Sequence, residues 1–224
     1  MTSPGPRLVL LGRQGAGKGT QASMLSAHYP IEHVSTGDLL RAAAAAGTLA
    51  GLEAKRYMDA GELVSDDTVI RVVEERFGDG GPLEDGFVLD GFPRTLRQAE
   101  ELERVLVAHP LDVVIDLDVP TEIVLDRIAG RRVCEDCGTV YHLNMPPRED
   151  WACDVCGGRV VQRDDDTEEA IQRRLELYER ETRPVVDFYL QLGRLAVVDA
   201  VGEGEEVFER IVKLVEKHLR AGPA

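Results

Sequence analysis

Residues 8–11, Leu8-Val9-Leu10-Leu11, run apolar without a break and stop at Gly12, after which Gly15, Gly17 and Gly19 alternate with other residues. A short apolar run cut off by glycine reads as a buried strand with an abrupt end. From residue 21 a helix-like pattern resumes, so the stretch is strand, glycine loop, lysine, helix. The glycines free the backbone to turn successive N–H groups toward one point, and a helix N-terminus behind them adds partial positive charge. Lys18 stands where its ammonium reaches the outer oxygens of a bound phosphate chain. A plain glycine-rich turn with a surface lysine would need neither the strand in front nor the helix behind. The stretch therefore reads as a phosphate cradle, with Gly15, Ala16, Gly17, Lys18, Gly19 and Thr20 around the anion. Gly19 follows the lysine where a hydroxyl residue usually binds magnesium, which argues against direct contact between a loop hydroxyl and the metal.

The remaining chain alternates strands with helices. A second strand is expected over 31–35, and Ser35-Thr36-Gly37-Asp38 supplies N-cap chemistry for a helix that continues into five alanines. Another helix spans roughly 51–60, an extended link covers Glu62, Leu63 and Val64, and Ser65 caps a helix to about residue 77. A glycine-, proline- and acid-rich loop at 78–86 precedes a strand at 87–90, broken at Gly91-Phe92-Pro93. A helix at 95–108, a strand at 112–119 and a helix from Pro120 to about 129 follow. Beyond the cysteine-bearing residues, a long helix is expected from 166 to about 191, then a strand at 195–199 and a helix at 203–219. This predicts an α/β fold: a five-stranded parallel sheet with helices on both faces. The core would comprise 1–34, 65–129 and 167–224. Two insertions interrupt it, a helical one at 35–64 and a second at 130–166.

The second insertion carries all four cysteines. Cys134-Glu135-Asp136-Cys137-Gly138 and Cys153-Asp154-Val155-Cys156-Gly157 are near-copies of one turn, separated by fifteen residues. Two Cys-x-x-Cys knuckles at this separation suit tetrahedral zinc, and four protein ligands leave no open position, so the metal would be structural. Disulfide or redox pairs and unligated thiols are the alternatives, and four thiolates would also accept iron or cobalt. So small a lobe with so few apolar residues needs a staple, and a metal would supply folding energy. His142 is the nearest substitute ligand, with an ordinary surface or packing role as the simpler reading.

Charge narrows the ligands. The 224-residue chain has a formal net charge of -15, which argues against a general nucleic-acid partner. Arginines nevertheless gather at 127–132, 163 and 173–174, as a small anionic ligand would require. No apolar run approaches the roughly 18–20 residues needed to cross a bilayer, and residues 1–6 lack the regions of a secretory signal. A soluble cytoplasmic protein is expected, and nothing demands more than a monomer.

Several motifs together resemble one family: Gly12-Arg13-Gln14-Gly15-Ala16-Gly17-Lys18-Gly19-Thr20, Ser35-Thr36-Gly37-Asp38 with Arg41, and Asp90-Gly91-Phe92-Pro93-Arg94-Thr95 with Gln98. Asp126-Arg127-Ile128-Ala129-Gly130-Arg131-Arg132 and Gln162-Arg163-Asp164-Asp165 extend the match over nearly the whole chain. The sequence resembles the adenylate kinase family, in its long bacterial form with a zinc-bearing lid. That resemblance implies Mg²⁺-dependent, reversible transfer of the ATP γ-phosphoryl group to AMP, giving two ADP. The 35–64 insertion would bind AMP and the 130–166 insertion would close over ATP, which keeps the cradle from wasting ATP on water. A kinase for CMP, UMP or GMP is the nearest alternative; a nucleotide-gated zinc-ribbon binding module is a more distant one.

Carried over by the resemblance, Lys18 and the loop hold the β- and γ-phosphates, and Arg131, Arg163 and Arg174 close over the transferring group. Arg94 clamps the acceptor phosphate, and Arg41 shares it with Arg163 and Arg174. Arg127 lies against the ATP adenine, in a pocket lined by Val140, Tyr141 and the Gly202 backbone. Thr36, the backbone of 62–64, Gly91, Phe92, Pro93 and Gln98 surround the AMP base, with Gln98 reading adenine through its carboxamide. Asp90 orients waters on magnesium, and Asp165 pins the lid hinge or serves as a helix N-terminal acid. Arg132 and Arg173 are expected to be solvated or ion-paired, Arg13 to be a plain surface arginine. Gln14 stands where the family commonly has proline; the backbone cradle should survive the change.

Overall fold

A computed structural model describes residues 4–78 and 83–221. Residues 79–82, inside the loop expected at 78–86, lie outside the described residues. In chain order, β1 (Arg7–Leu11) leads into α1 (Lys18–His28), β2 (Glu32–Ser35), α2 (Thr36–Ala45), α3 (Leu49–Asp59) and α4 (Asp66–Phe77). β3 (Phe87–Asp90), α5 (Leu96–Val105), β4 (Val113–Asp118) and α6 (Thr121–Ala129) follow. Three short strands come next, β5 (Arg131–Cys134), β6 (Val140–His142) and β7 (Val160–Val161). Then come α7 (Glu168–Leu177), α8 (Arg183–Gln191), β8 (Leu195–Asp199) and α9 (Gly204–Ala221).

β2, β3, β1, β4 and β8 form a five-stranded sheet in that order, every pairing parallel. The unbroken apolar run of β1 is explained by its place at the centre, where both faces are covered. Leu8 and Leu10 point into one half of the core with Ala22 and Leu25 of α1, Val124 and Ile128 of α6, and Val207, Ile211 and Val215 of α9. Val9 and Leu11 point the other way, among Val69 and Val73 of α4, Leu102 of α5 and Tyr189 of α8. This period-2 division of one strand between two helix layers makes the fold a three-layer α/β sandwich.

The caps expected from sequence form. Ser35 Oγ accepts from the Asp38 N–H at 3.3 Å, and Ser65 Oγ accepts from the Thr68 N–H at 3.3 Å. Two helices differ from expectation. The helix expected over 166–191 is interrupted by a π-helical turn, Tyr178–Thr182, between α7 and α8. Pro184 sits in the first turn of α8 and has no N–H to continue the ladder, so the backbone widens there. α5 ends at Val105, short of residue 108; Pro110 beyond it disfavours helical geometry at His109.

The first insertion is a helix pair. Thr48 Oγ1 accepts from the Gly51 N–H at 3.1 Å and caps α3. Gly51 lets α3 lie directly on α2, since a Cβ there would sit 2.2 Å from the Ala43 carbonyl carbon. Leu40, Ala54 and Val64 from this segment join the core on the α4–α5–α8 side of the sheet. The second insertion is built otherwise. β6, β5 and β7 make a separate antiparallel sheet whose buried cluster is Cys134, Cys153 and Val160, with Tyr141 against it. Among the described residues, no helix is long and apolar enough to cross a membrane.

Candidate active site

The phosphate cradle lies at the C-terminal end of β1, between α1 and α6. Gly17 (φ +99°) is the N-cap of α1 and supplies no side-chain acceptor, so the first N–H groups of the helix are left for an anion. Gly15 is required twice: its φ is +82°, and a Cβ there would meet Ile128 Cγ1 at 2.7 Å and the Val124 carbonyl at 2.9 Å. Ala16 is buried beneath the loop, and Thr20 is exposed on α1. Lys18 Nζ donates to the carbonyls of Gly12 at 2.7 Å and Arg13 at 2.9 Å, folding the ammonium over the loop. Burial lowers the Lys18 pKa to about 8, against the pull of Asp90 and with the repulsion of Arg94 and Arg131.

Five arginines crowd the same cleft. Arg131, at the start of β5, donates Nε to Asp166 Oδ2 at 2.9 Å and Nη2 to Oδ1 of the same carboxylate. Arg174 on α7 donates to Asp165 Oδ2 at 2.6 Å and to the Met58 carbonyl at 2.7 Å, joining the end of the cysteine lobe to α3. Arg41 pairs with Asp38, and Arg163 Nη2 lies 3.9 Å from the same carboxylate. Arg94 Nε donates to the Gly91 carbonyl at 2.8 Å. Burial, followed by the charges of Arg41 and Arg131, pulls the Arg163 pKa down to about 10. Burial and then Arg174 depress Arg94 in the same way. Cations placed close enough to destabilise one another make a site for a polyanion.

The other expected residues fall as follows. Arg127 Nη1 donates to the Ala16 carbonyl at 3.3 Å, and its Nη2 donates to the carbonyls of Ala200 at 3.1 Å and Gly202 at 3.2 Å. It thus spans from the cradle to the 200–202 loop, the flank expected for the ATP base. Val140 is exposed on β6. Tyr141 turns its hydroxyl to the cysteines, donating to Cys153 Sγ at 3.3 Å and accepting from the Asp154 N–H at 2.8 Å.

On the acceptor side, Gly91 (φ +81°) lies against Thr36, whose Oγ1 would be 2.9 Å from a Cβ there. Thr36 is buried, and its hydroxyl donates to the Asp90 carbonyl at 3.4 Å. Gln98 is 2% exposed; its Oε1 accepts from the Arg94 N–H at 2.8 Å and its Nε2 donates to Asp66 Oδ1 at 2.7 Å. One amide proton and one lone pair remain for a base. Phe92 points into the core and Pro93 is buried, following a cis Phe92–Pro93 bond, so their side chains do not line an open wall. Leu63 is half-buried and Val64 buried, while the Glu62 carboxylate accepts from Arg173 Nη1 at 2.8 Å. That ion pair accounts for Arg173. Arg132 turns back onto the carbonyls of Arg131 (2.6 Å) and Ala129 (3.4 Å).

Asp90 ends β3 beside the cradle, with Oδ2 3.4 Å from where a Gly19 Cβ would stand. Burial would raise its pKa, but His33, Lys18 and Arg94 outweigh burial and hold the carboxyl ionised. An ionised carboxylate next to the phosphate loop is a fitting acceptor for waters carried by a magnesium ion. The four cysteine Sγ atoms all lie within 4.8 Å of one another, and the Cys134–Cys156 and Cys137–Cys153 pairs are at 3.5 Å. A tetrahedron of Zn–S bonds has edges of about 3.8 Å, so the cluster fits the ion. The N–H groups of Gly138 and Gly157 close each knuckle onto the carbonyls of Cys134 (3.1 Å) and Cys153 (2.8 Å). His142 stands apart from the cluster, its Nδ1 accepting from the Asn144 N–H at 3.1 Å.

Two contacts escaped the sequence reading. Arg13 is no plain surface arginine: it donates to Glu179 Oε1 at 2.5 Å and 3.0 Å and to the Val119 carbonyl at 3.2 Å, fastening the loop to the π-helical turn. Asp166, with a fully buried side chain, holds Arg131. The run Asp164-Asp165-Asp166 was the available signal, but only the fold tells which carboxylate meets which arginine.

A phosphate cradle at the end of a parallel strand, roofed by arginines from two insertions, defines a P-loop phosphotransferase. The adenylate kinase family model matches residues 10–194. Among curated relatives, adenylate kinase of Thermodesulfovibrio yellowstonii is 49% identical over 94% of this chain and 99% of its own length. Adenylate kinases of Archaeoglobus fulgidus, 49% identical over 94% and 98%, and Clostridium perfringens, 46% over 93% and 98%, are similar throughout. The chain belongs to the adenylate kinase family.

Proposed function

We infer that the protein catalyses reversible transfer of the ATP γ-phosphoryl group to AMP, giving two ADP. Lys18 sharing one cleft with Arg41, Arg94, Arg131, Arg163 and Arg174 carries this reading, because such transfer depends on positioning and charge neutralisation rather than on covalent chemistry. In the reading, the loop and Lys18 hold the donor phosphates and Arg127 flanks the donor base. Arg41 and Arg94 take the acceptor phosphate. Arg131, Arg163 and Arg174 neutralise the transferring group once the insertions close over it, excluding water. Asp90 would hold Mg²⁺ through water, and the ion would supply neutralising charge at the phosphates. Zn²⁺ on Cys134, Cys137, Cys153 and Cys156 would hold the 130–166 lobe as a lid, with 35–64 as the AMP-binding lobe. Four free cysteines at ligand spacing suit the reducing cytoplasm, and the net charge of -15 suits a monomer without nucleic-acid partners.

The test is phosphoryl transfer from ATP–Mg²⁺ to AMP, CMP, UMP and GMP, with ADP formation followed directly. AMP-selective turnover is expected. Preference for another monophosphate would overturn the acceptor pocket built on Thr36 and Gln98, and transfer to none would overturn the enzyme.

A further inference from the structure

Gln14 lies in the phosphate loop between Arg13 and Gly15. Its Nε2 donates to Asp166 Oδ1 at 3.2 Å. The same oxygen accepts Nη2 of Arg131, while Oδ2 accepts Arg131 Nε at 2.9 Å. Asp166 is also fixed by its backbone: its N–H donates to the Arg163 carbonyl at 3.1 Å, and its carbonyl accepts from Gln162 Nε2 at 3.2 Å. Residues 131 and 166 are where the chain enters and leaves the cysteine lobe. One carboxylate, its side chain fully buried, therefore gathers both stems of that lobe and the phosphate loop.

The second observation is the other end of the carboxamide. Gln14 Oε1 is buried and, among the described residues, has no hydrogen-bond partner. A buried acceptor left unpaired is costly, so packing alone does not account for glutamine here. Leucine, of similar size, would fill the space without stranding an oxygen.

We propose that Gln14 is a positioning residue for phosphoryl transfer: through Asp166 it sets the Arg131 guanidinium relative to the cradle, so that the loop and both stems of the lobe move as one unit. The inference rests on the reading of Arg131 as a ligand of the transferring group. An amide suits this role because it grips the carboxylate without adding charge. A glutamate would repel Asp166, and a lysine would compete with Arg131 for it.

The experiment is a double-mutant cycle in the metal-loaded full chain: Gln14→Leu, Arg131→Lys and the pair, with kcat, both KM values and Tm measured for each. Gln14→Leu is expected to lower kcat about tenfold while KM for AMP and Tm hold, a loss of the size one charge-assisted contact brings. Arg131→Lys is expected to lower kcat about a hundredfold. The pair should lose at least about threefold less than the product of the single losses, the mark of two groups acting through one contact. A Gln14→Leu chain with undiminished kcat, or a strictly multiplicative cycle, would overturn the role of Gln14 while leaving Arg131 in place. An Arg131→Lys chain with full kcat would overturn the reading of Arg131 itself, and the proposal with it.

Discussion

The two insertions flank one cleft and are held up by different physics. The helical insertion owns little core of its own. It caps α3 with Thr48, lays α3 on α2 at Gly51, and sends Leu40, Ala54 and Val64 into the main core. Its stability is borrowed from the sheet. The cysteine lobe shares almost nothing with that core: its buried cluster is Cys134, Cys153 and Val160, packed by Tyr141. So little apolar area cannot hold three short strands in water, and the four clustered sulfurs are what a metal would tie together in its place. One lobe is folded by the core beneath it; the other has four sulfurs within 4.8 Å of one another in place of such a core, and a bound metal would hold it.

Removing the metal should break this contrast most sharply. Structural zinc contributes on the order of 10 kcal/mol to small metal-dependent folds. Chelation, or Cys153→Ala, is therefore expected to abolish amide protection across 131–161, together with activity, while α2 and α3 keep theirs. Hydrogen exchange read by mass spectrometry resolves the two segments. Equal loss in both would mean that the lobes are one cooperative unit.

Gly51→Ala addresses the other side. A Cβ there meets the Ala43 backbone, so α3 must lift from α2 at a cost of about 1–3 kcal/mol, partly offset by better helix propensity. KM for AMP should rise and Tm fall, with KM for ATP unchanged and zinc content intact. A rise in KM for ATP instead would show that the pairing of Arg174 with Asp165 and Met58 transmits the strain across the cleft.

The smallest effect is one of pH. Burial pulls the Lys18 pKa down to about 8, and bound phosphates must raise that value by favouring the ammonium. ATP binding should therefore take up protons above about pH 8, and ATP affinity should fall as pH rises through that region. AMP affinity should stay flat, since guanidiniums remain charged there and the second phosphate pKa of about 6 is already passed. Calorimetry in buffers of different ionisation enthalpy measures the uptake. Equal pH dependence for both nucleotides would remove Lys18 as its source.

Much of this architecture was legible in order along the chain. Periodicity and caps located the five core strands and their helices, because a buried parallel strand must be apolar on both faces and a helix start must satisfy its own N–H groups. The π-helical turn was not legible; Pro184 marks it, but proline just inside a helix start is equally ordinary. Gln98 and Tyr141 were expected at the site from the resemblance, and the fold commits part of each side chain elsewhere. Gln98 is shared with Arg94 and Asp66, and the Tyr141 hydroxyl is taken by Cys153 and Asp154.

The sequence by itself determined the phosphate loop, the two cysteine knuckles and the supply of arginines, since these depend on backbone conformation and residue chemistry within a few positions. Only the tertiary structure decided which acid partners each arginine: Asp166 with Arg131, Asp165 with Arg174, Asp38 with Arg41 beside Arg163. Charges act through distance in space, and two neighbouring aspartates in the chain are interchangeable until the fold places one guanidinium beside each.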